Sequence, residues 1–173
     1  LADVVIPNTV KQFGKSAFAQ CTRLVDINTE SVTDIGDGAF RLCTRLKTIN
    51  IKSAEIVGQS VFFDCTALEA IVIESVTNLG PRVFKNCTSL KTINIKSTKI
   101  TEIGPSCFHG CSSLTTVTLP PLLTDVPGGT FYECIALAAI DIPKSVKNLG
   151  EEAFKGCILL KTITLTSSVV TLG

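Results

Sequence analysis

Apolar residues recur along this chain in a fixed order. Phenylalanine stands at Phe18, Phe40, Phe62, Phe84, Phe108, Phe131 and Phe154, at spacings of 22, 22, 22, 24, 23 and 23 residues. Three residues after each comes a cysteine: Cys21, Cys43, Cys65, Cys87, Cys111, Cys134 and Cys157. Three further on stands a leucine, from Leu24 to Leu160, and three beyond that an isoleucine or valine, from Ile27 to Ile163. Four residues before each phenylalanine is Gly14, Gly36, Gly58, Gly80, Gly104 or Gly150, with Pro127 as the exception. The unit reads G-x-x-x-F-x-x-C-x-x-L-x-x-I-x-I, followed by a linker. One stretch, LKTINIKS, occurs unchanged at residues 46–53 and 90–97, and a variant, LKTITLTS, sits at 160–167. Such regularity marks a repeat architecture, in which each unit buries its apolar side only against a neighbour.

The I-x-I segment alternates apolar and polar, which predicts a short strand with one face in the core. Strands one repeat apart must be parallel, because the chain always travels round in the same direction. The G-x-x-x-F-x-x-C-x-x-L segment spaces its apolar residues by three or four, which predicts a short helix or 3₁₀ turn. The linker varies in length by two residues and is expected on a solvated outer edge. The expected fold is an α/β solenoid, one domain over residues 1–173 with about seven to eight repeats of 22–24 residues. A parallel sheet of about eight short strands lines its concave side, and short helical or 3₁₀ turns line its convex side. Leu1, Val4 and Ile6 fill half a unit, and the chain stops at the next glycine, so both ends fall mid-repeat. With no methionine present, a processed or trimmed piece is expected, its signal peptide already gone.

IGDGAFRLCTRLKTINI and LGEEAFKGCILLKTITL resemble the leucine-rich repeats of the BspA-like family, and the resemblance covers essentially the whole chain. Ile6-Pro7, Leu119-Pro120 and Ile142-Pro143 keep that family's proline, while Thr29 departs at an inward position. The resemblance implies an exported or surface-anchored protein of a bacterium or mucosal protozoan parasite. It further implies adhesion to host proteins or other microbes. It carries over no active site, because such proteins resemble one another in scaffold alone.

Composition narrows the partners. A net charge of +1 supplies no field to draw in nucleic acid or an anionic membrane. No apolar run approaches the length of a transmembrane helix. Seven of the eight cysteines hold one ladder position and are expected to be buried thiols, whose parallel side-chain directions suit a disulfide poorly. Cys107, His109 and Cys111 bring three soft ligands into five residues, but Cys107 and Cys111 fall in inward columns and His109 in an outward one. The expectation is no metal, no cofactor and no catalytic residue: the sole histidine lacks a carboxylate partner, and no nucleophile or phosphate-binding motif occurs.

What remains is binding. If the isoleucines of I-x-I point inward, their neighbours form a polar platform on the concave side. Its candidate ligand-binding residues are Thr48, Asn50, Lys52, Glu74, Thr92, Asn94, Lys96, Thr116 and Thr118. The column Glu30, Lys52, Glu74, Lys96 alternates in charge, which predicts cross-strand pairs. Phe63 and Tyr132 are alternative anchors on the convex side, where they either cover a neighbouring turn or hold a partner. The expected function is a non-catalytic module binding a host matrix or cell-surface protein. The alternative is a self-assembling repeat whose open ends make a homo-oligomer.

Overall fold

A computed structural model describes residues 3–173, so Leu1 of the opening half unit lies outside the described residues. Each repeat makes one turn of a solenoid with three hydrogen-bonded sides. In chain order the strands are β1 (Gln12–Phe13), β2 (Asp34–Ile35), β3 (Ile56–Val57), β4 (Ala70–Ile73), β5 (Asn78–Leu79), β6 (Thr92–Ile95), β7 (Thr116–Thr118), β8 (Asp125–Val126), β9 (Ala139–Asp141), β10 (Asn148–Leu149), β11 (Thr162–Thr164) and β12 (Thr171–Leu172). The I-x-I segments build the first side as two parallel blocks, β4-β6-β7 and β9-β11. Of about eight strands expected there, five form among the described residues.

The second side comes from the linkers, which the repeat pattern placed on an outer edge. They form parallel ladders β1-β2-β3-β5 and β8-β10-β12, with Leu79 and Ile103 making a bridge between the blocks. The reason is legible afterwards: the residue before each repeat glycine is apolar. Phe13, Ile35, Val57, Leu79, Ile103, Val126 and Leu149 are all buried, as are Val32, Ala54, Val76, Ile100, Leu123 and Val146 three residues earlier. The linker therefore adds two columns to the core. The glycines then allow neighbouring backbones to touch: a Cβ on Gly36 would lie 2.9 Å from the Gly14 carbonyl carbon.

The third side corrects the helical expectation. No helix forms among the described residues, and the fold is a β-solenoid with a turn side. Every repeat places two residues in the left-handed region. The first is Ser16, Gly38, Ser60, Arg82, Ser106, Gly129 or Glu152; the second is Gln20, Leu42, Asp64, Asn86, Gly110, Glu133 or Gly156. With φ between +55° and +78° at these positions, no run of right-handed turns can propagate. Alternate N–H groups instead reach the next repeat: Phe40 donates to the Val61 carbonyl at 3.0 Å and Leu42 to the Phe63 carbonyl at 2.8 Å. The intervening N–H groups close turns, as Cys43 does on the Phe40 carbonyl at 3.1 Å. Backbone satisfaction, which periodicity alone does not report, selects stacked turns over a helix.

Side chains reinforce the stack. The repeat phenylalanines lie nearly parallel along the core, with Phe40 and Phe62 centroids 5.7 Å apart and Phe62 and Phe84 5.4 Å apart. Six of the ladder cysteines, Cys43, Cys65, Cys87, Cys111, Cys134 and Cys157, do more than fill space. Cys65 Sγ donates to the Phe40 carbonyl, Cys87 to Phe62 and Cys111 to Phe84, each at 3.1 Å. The thiol column thus ties every repeat to the one before it.

Candidate functional site

The strand side carries the polar platform. Thr48, Lys52, Glu74, Thr92, Asn94, Lys96, Thr116 and Thr118 are exposed, and Asn50 is half-buried. In the β4-β6-β7 block, register sets Ala70, Thr92 and Thr116 in one row, and Val72, Asn94 and Thr118 in the next. Lys96 pairs with Glu74 at 3.8 Å and Lys91 with Glu69 at 4.0 Å. Exposed pairs of this kind are worth about 0–1 kcal/mol. They set charge alternation along the face more than they hold the fold.

The platform is not uniform. LKTINIKS at 90–97 contains β6, paired on both edges, whereas the identical residues at 46–53 carry no ladder. The difference lies in the preceding repeat and in the turns that side chains make. In the second copy the Lys96 N–H donates to the Ile73 carbonyl at 2.8 Å. In the first, the equivalent Lys52 N–H is taken by the Asn50 side-chain oxygen at 3.0 Å. One repeat earlier, Asn28 Oδ1 accepts from Glu30 N–H at 3.0 Å, and Asp26 Oδ1 from Ile27 N–H at 2.8 Å. Thr29, where other repeats carry an aliphatic residue, donates its hydroxyl to the Asn50 carbonyl. Local side-chain bonds therefore replace the ladder. The result is an open seam over Asp26–Ile51 beside the free edge of β4, holding a groove of about 430 Å³. A second interruption falls between β7 and β9.

On the turn side, Phe63 and Tyr132 are half-buried and already engaged. The Arg41 guanidinium sits 5.2 Å from the Phe63 ring centre. Tyr132 is flanked by His109, stacked at 4.6 Å with 7° between planes, and by the Lys155 ammonium at 5.6 Å. Both aromatics cover neighbouring repeats. Desolvation and the nearby Lys85 ammonium hold His109 below its ordinary 6.5, which favours the neutral ring. Cys107 is fully buried, and Cys111 is spent on the Phe84 carbonyl, so His109 faces outward apart from both. Desolvation also lifts every interior thiol, Cys43 to about 11 and Cys107 to about 12. The thiols are thereby kept protonated and slow to react.

The family model described as "BspA type Leucine rich repeat region" matches this sequence in six copies, over residues 1–100 and 77–173. No curated protein matches significantly. Among solved structures, the leucine-rich repeat protein TpLRR of T. pallidum is similar at 28% identity and TM-score 0.83, over 91% of this chain and 77% of that one. A leucine-rich repeat protein from Bacteroides ovatus is similar at 28% identity and TM-score 0.76, over 92% of this chain and 42% of that one. The pneumococcal vaccine antigen PcpA shares the fold at 19% identity and TM-score 0.57, over 94% of this chain and half, 50%, of its own.

Proposed function

The chain belongs to the BspA-type leucine-rich repeat family, and from that premise we propose that it is a surface adhesin segment binding a host matrix or cell-surface protein through its strand side. The family supplies the coarser part: leucine-rich repeat scaffolds are protein-interaction modules, characteristically without catalysis. The observation that carries the finer part is the contrast between the faces. The turn side spends its half-buried aromatics on neighbouring side chains, Phe63 against Arg41 and Tyr132 against His109 and Lys155. The strand side leaves Thr92, Asn94, Thr116 and Thr118 exposed in register. Donors and acceptors repeated at strand spacing suit an extended protein surface. Support for export is family membership alone.

The test is surface binding of the purified, monodisperse chain to immobilised fibronectin, laminin and collagen, and to itself. Saturable binding to one of these matrix proteins, weakened at least about tenfold by Asn94→Arg, is the expected result. Self-binding alone, untouched by Asn94→Arg, would replace adhesion with assembly.

A further inference from the structure

All four arginines of the chain, Arg23, Arg41, Arg45 and Arg82, fall on the turn side of the first four repeats, and all four are exposed. Every cation of the strand and linker sides is a lysine. Lys15 and Lys85 join the arginines, so these four turn segments hold six cations against two carboxylates, Asp37 and Asp64. The last three turn segments reverse the balance, with Lys155 against Glu133, Glu151 and Glu152. The net charge of +1 conceals this division. On the strand side lysines pair with glutamates across repeats, as Lys96 does with Glu74. None of the six turn-side cations forms an ion pair among the described residues. The two carboxylates among them serve the neighbouring repeats instead: Asp37 Oδ1 accepts from the Gln59 N–H at 2.8 Å, and Asp64 Oδ1 from the Asn86 amide at 2.9 Å. Arg23 and Arg45 hold the same position in adjacent repeats, like charge beside like. Lys15, Arg41 and Arg82 line one open groove of about 350 Å³, together with Ser16, Gln59 and Ser60.

We propose that this groove and its flanking arginines bind a linear sulfated polysaccharide. The inference goes beyond the adhesin reading, since it adds a second ligand on a different side of the solenoid. A guanidinium presents a planar fork that takes two oxygens of an oxyanion at once, whereas an ammonium acts as a point charge. The cations are also spread along the solenoid axis. Repeats step by 5.4–5.7 Å, and Lys15 and Arg82 stand three repeats apart. That spread suits successive charges on a polymer better than one small anion. Ser16, Gln59 and Ser60 add the hydroxyl and amide groups that hydrogen-bond a sugar chain. A single-stranded nucleic acid fits less well, because its bases are held by aromatic stacking. Phe63, the aromatic lining the groove, already lies against the Arg41 guanidinium. A second copy of this chain also fits less well: of the three glutamates on the acidic turns, Glu152 is paired with Lys155 at 2.6 Å. Those glutamates repel a polyanion from the last repeats and set the end of its footprint.

The probe is a short fluorescent heparin oligosaccharide, compared with its desulfated form, and anisotropy reads binding to the full chain. Saturable binding at physiological salt, at least about tenfold tighter than to the desulfated form, is the expected result. It weakens as salt is raised, because the contacts are solvent-exposed charges. Lys15→Gln with Arg82→Gly places at each position a residue that another repeat carries there, Gln59 and Gly38. This pair is expected to weaken heparin binding at least about tenfold with native melting retained. Lys144→Gln with Lys147→Gln removes the same charge from exposed linker positions and is expected to leave binding within about twofold. Equal loss in the two pairs would reduce the effect to net charge and overturn the site, as would equal binding of the desulfated form. A single-stranded oligonucleotide of matched charge that binds as tightly as heparin would replace the sulfated polysaccharide with nucleic acid. Asn94→Arg, on the strand side, is expected to leave heparin binding within about twofold. Heparin binding that survives while every matrix protein fails to bind would uphold this inference and strike the adhesin reading alone.

Discussion

Leu42 and Arg82 hold φ at +62° and +56°, a region L-residues adopt at a cost of about 1–2 kcal/mol. The inter-repeat bonds offset this strain: the Leu42 N–H reaches the Phe63 carbonyl, and Arg82 N–H reaches Pro105 at 3.0 Å. Arg82→Gly relieves the strain at an exposed position and is expected to raise stability by about 0.5–1 kcal/mol after the added chain entropy. A denaturation midpoint that stays put or falls would refute that account of the turns. Phe84 is fully buried between Phe62 and Phe108, so Phe84→Ala is expected to cost about 3–5 kcal/mol. The thiols add a pH dependence. An unfolded cysteine loses its proton near 9.0, whereas folded Cys43 and Cys107 hold theirs to about 11 and 12. Between those values the unfolded state binds fewer protons, so stability is full below 9.0 and falls as pH rises through the folded values. Urea midpoints that do not decline above pH 9.0 would contradict it.

At the scale of elements, the sequence pattern carried the core columns and left out what the backbone does with them. Alternation in I-x-I identified the inward isoleucines, and spacing identified the phenylalanine and cysteine columns. The linker strands were visible in the apolar residue before each glycine, but a variable linker length was read as exposure. The turn segment looked helical because apolar spacing near three or four is common to helices and to successive tight turns. Only the φ values separate them. The seam was foreshadowed by Thr29, noted as a departure, yet nothing in LKTINIKS itself distinguishes the copy that pairs from the copy that does not. The cause sits in Asp26, Asn28 and Thr29, one repeat away, and in the turn that Asn50 makes on Lys52. Native-state hydrogen exchange provides the check: Thr48–Ile51 amides are expected to exchange faster than those of Thr92–Ile95. Equal protection of the two copies would mean that the ladder is continuous.

The molecule as a whole is three stacked ladders around one core, with function left to whichever side retains free groups. The linker side uses its threonines on the preceding repeat, as Thr77 Oγ1 does on the Glu55 carbonyl at 3.0 Å. The turn side sets Phe63 against Arg41 and Tyr132 against Lys155. Eight of the nine platform residues read from the pattern are exposed on the strand side, and Asn50 is half-buried. The uneven openness of that side was not legible, since it depends on side-chain bonds between neighbouring repeats. Binding of the full chain to the matrix-protein panel should therefore be compared between a strand-side variant, Asn94→Arg, and a turn-side variant, Tyr132→Ala, both checked for native melting. The account predicts that Asn94→Arg weakens matrix binding at least about tenfold while Tyr132→Ala leaves it within about twofold. Loss in Tyr132→Ala with full retention in Asn94→Arg would contradict it and move the binding surface to the turns.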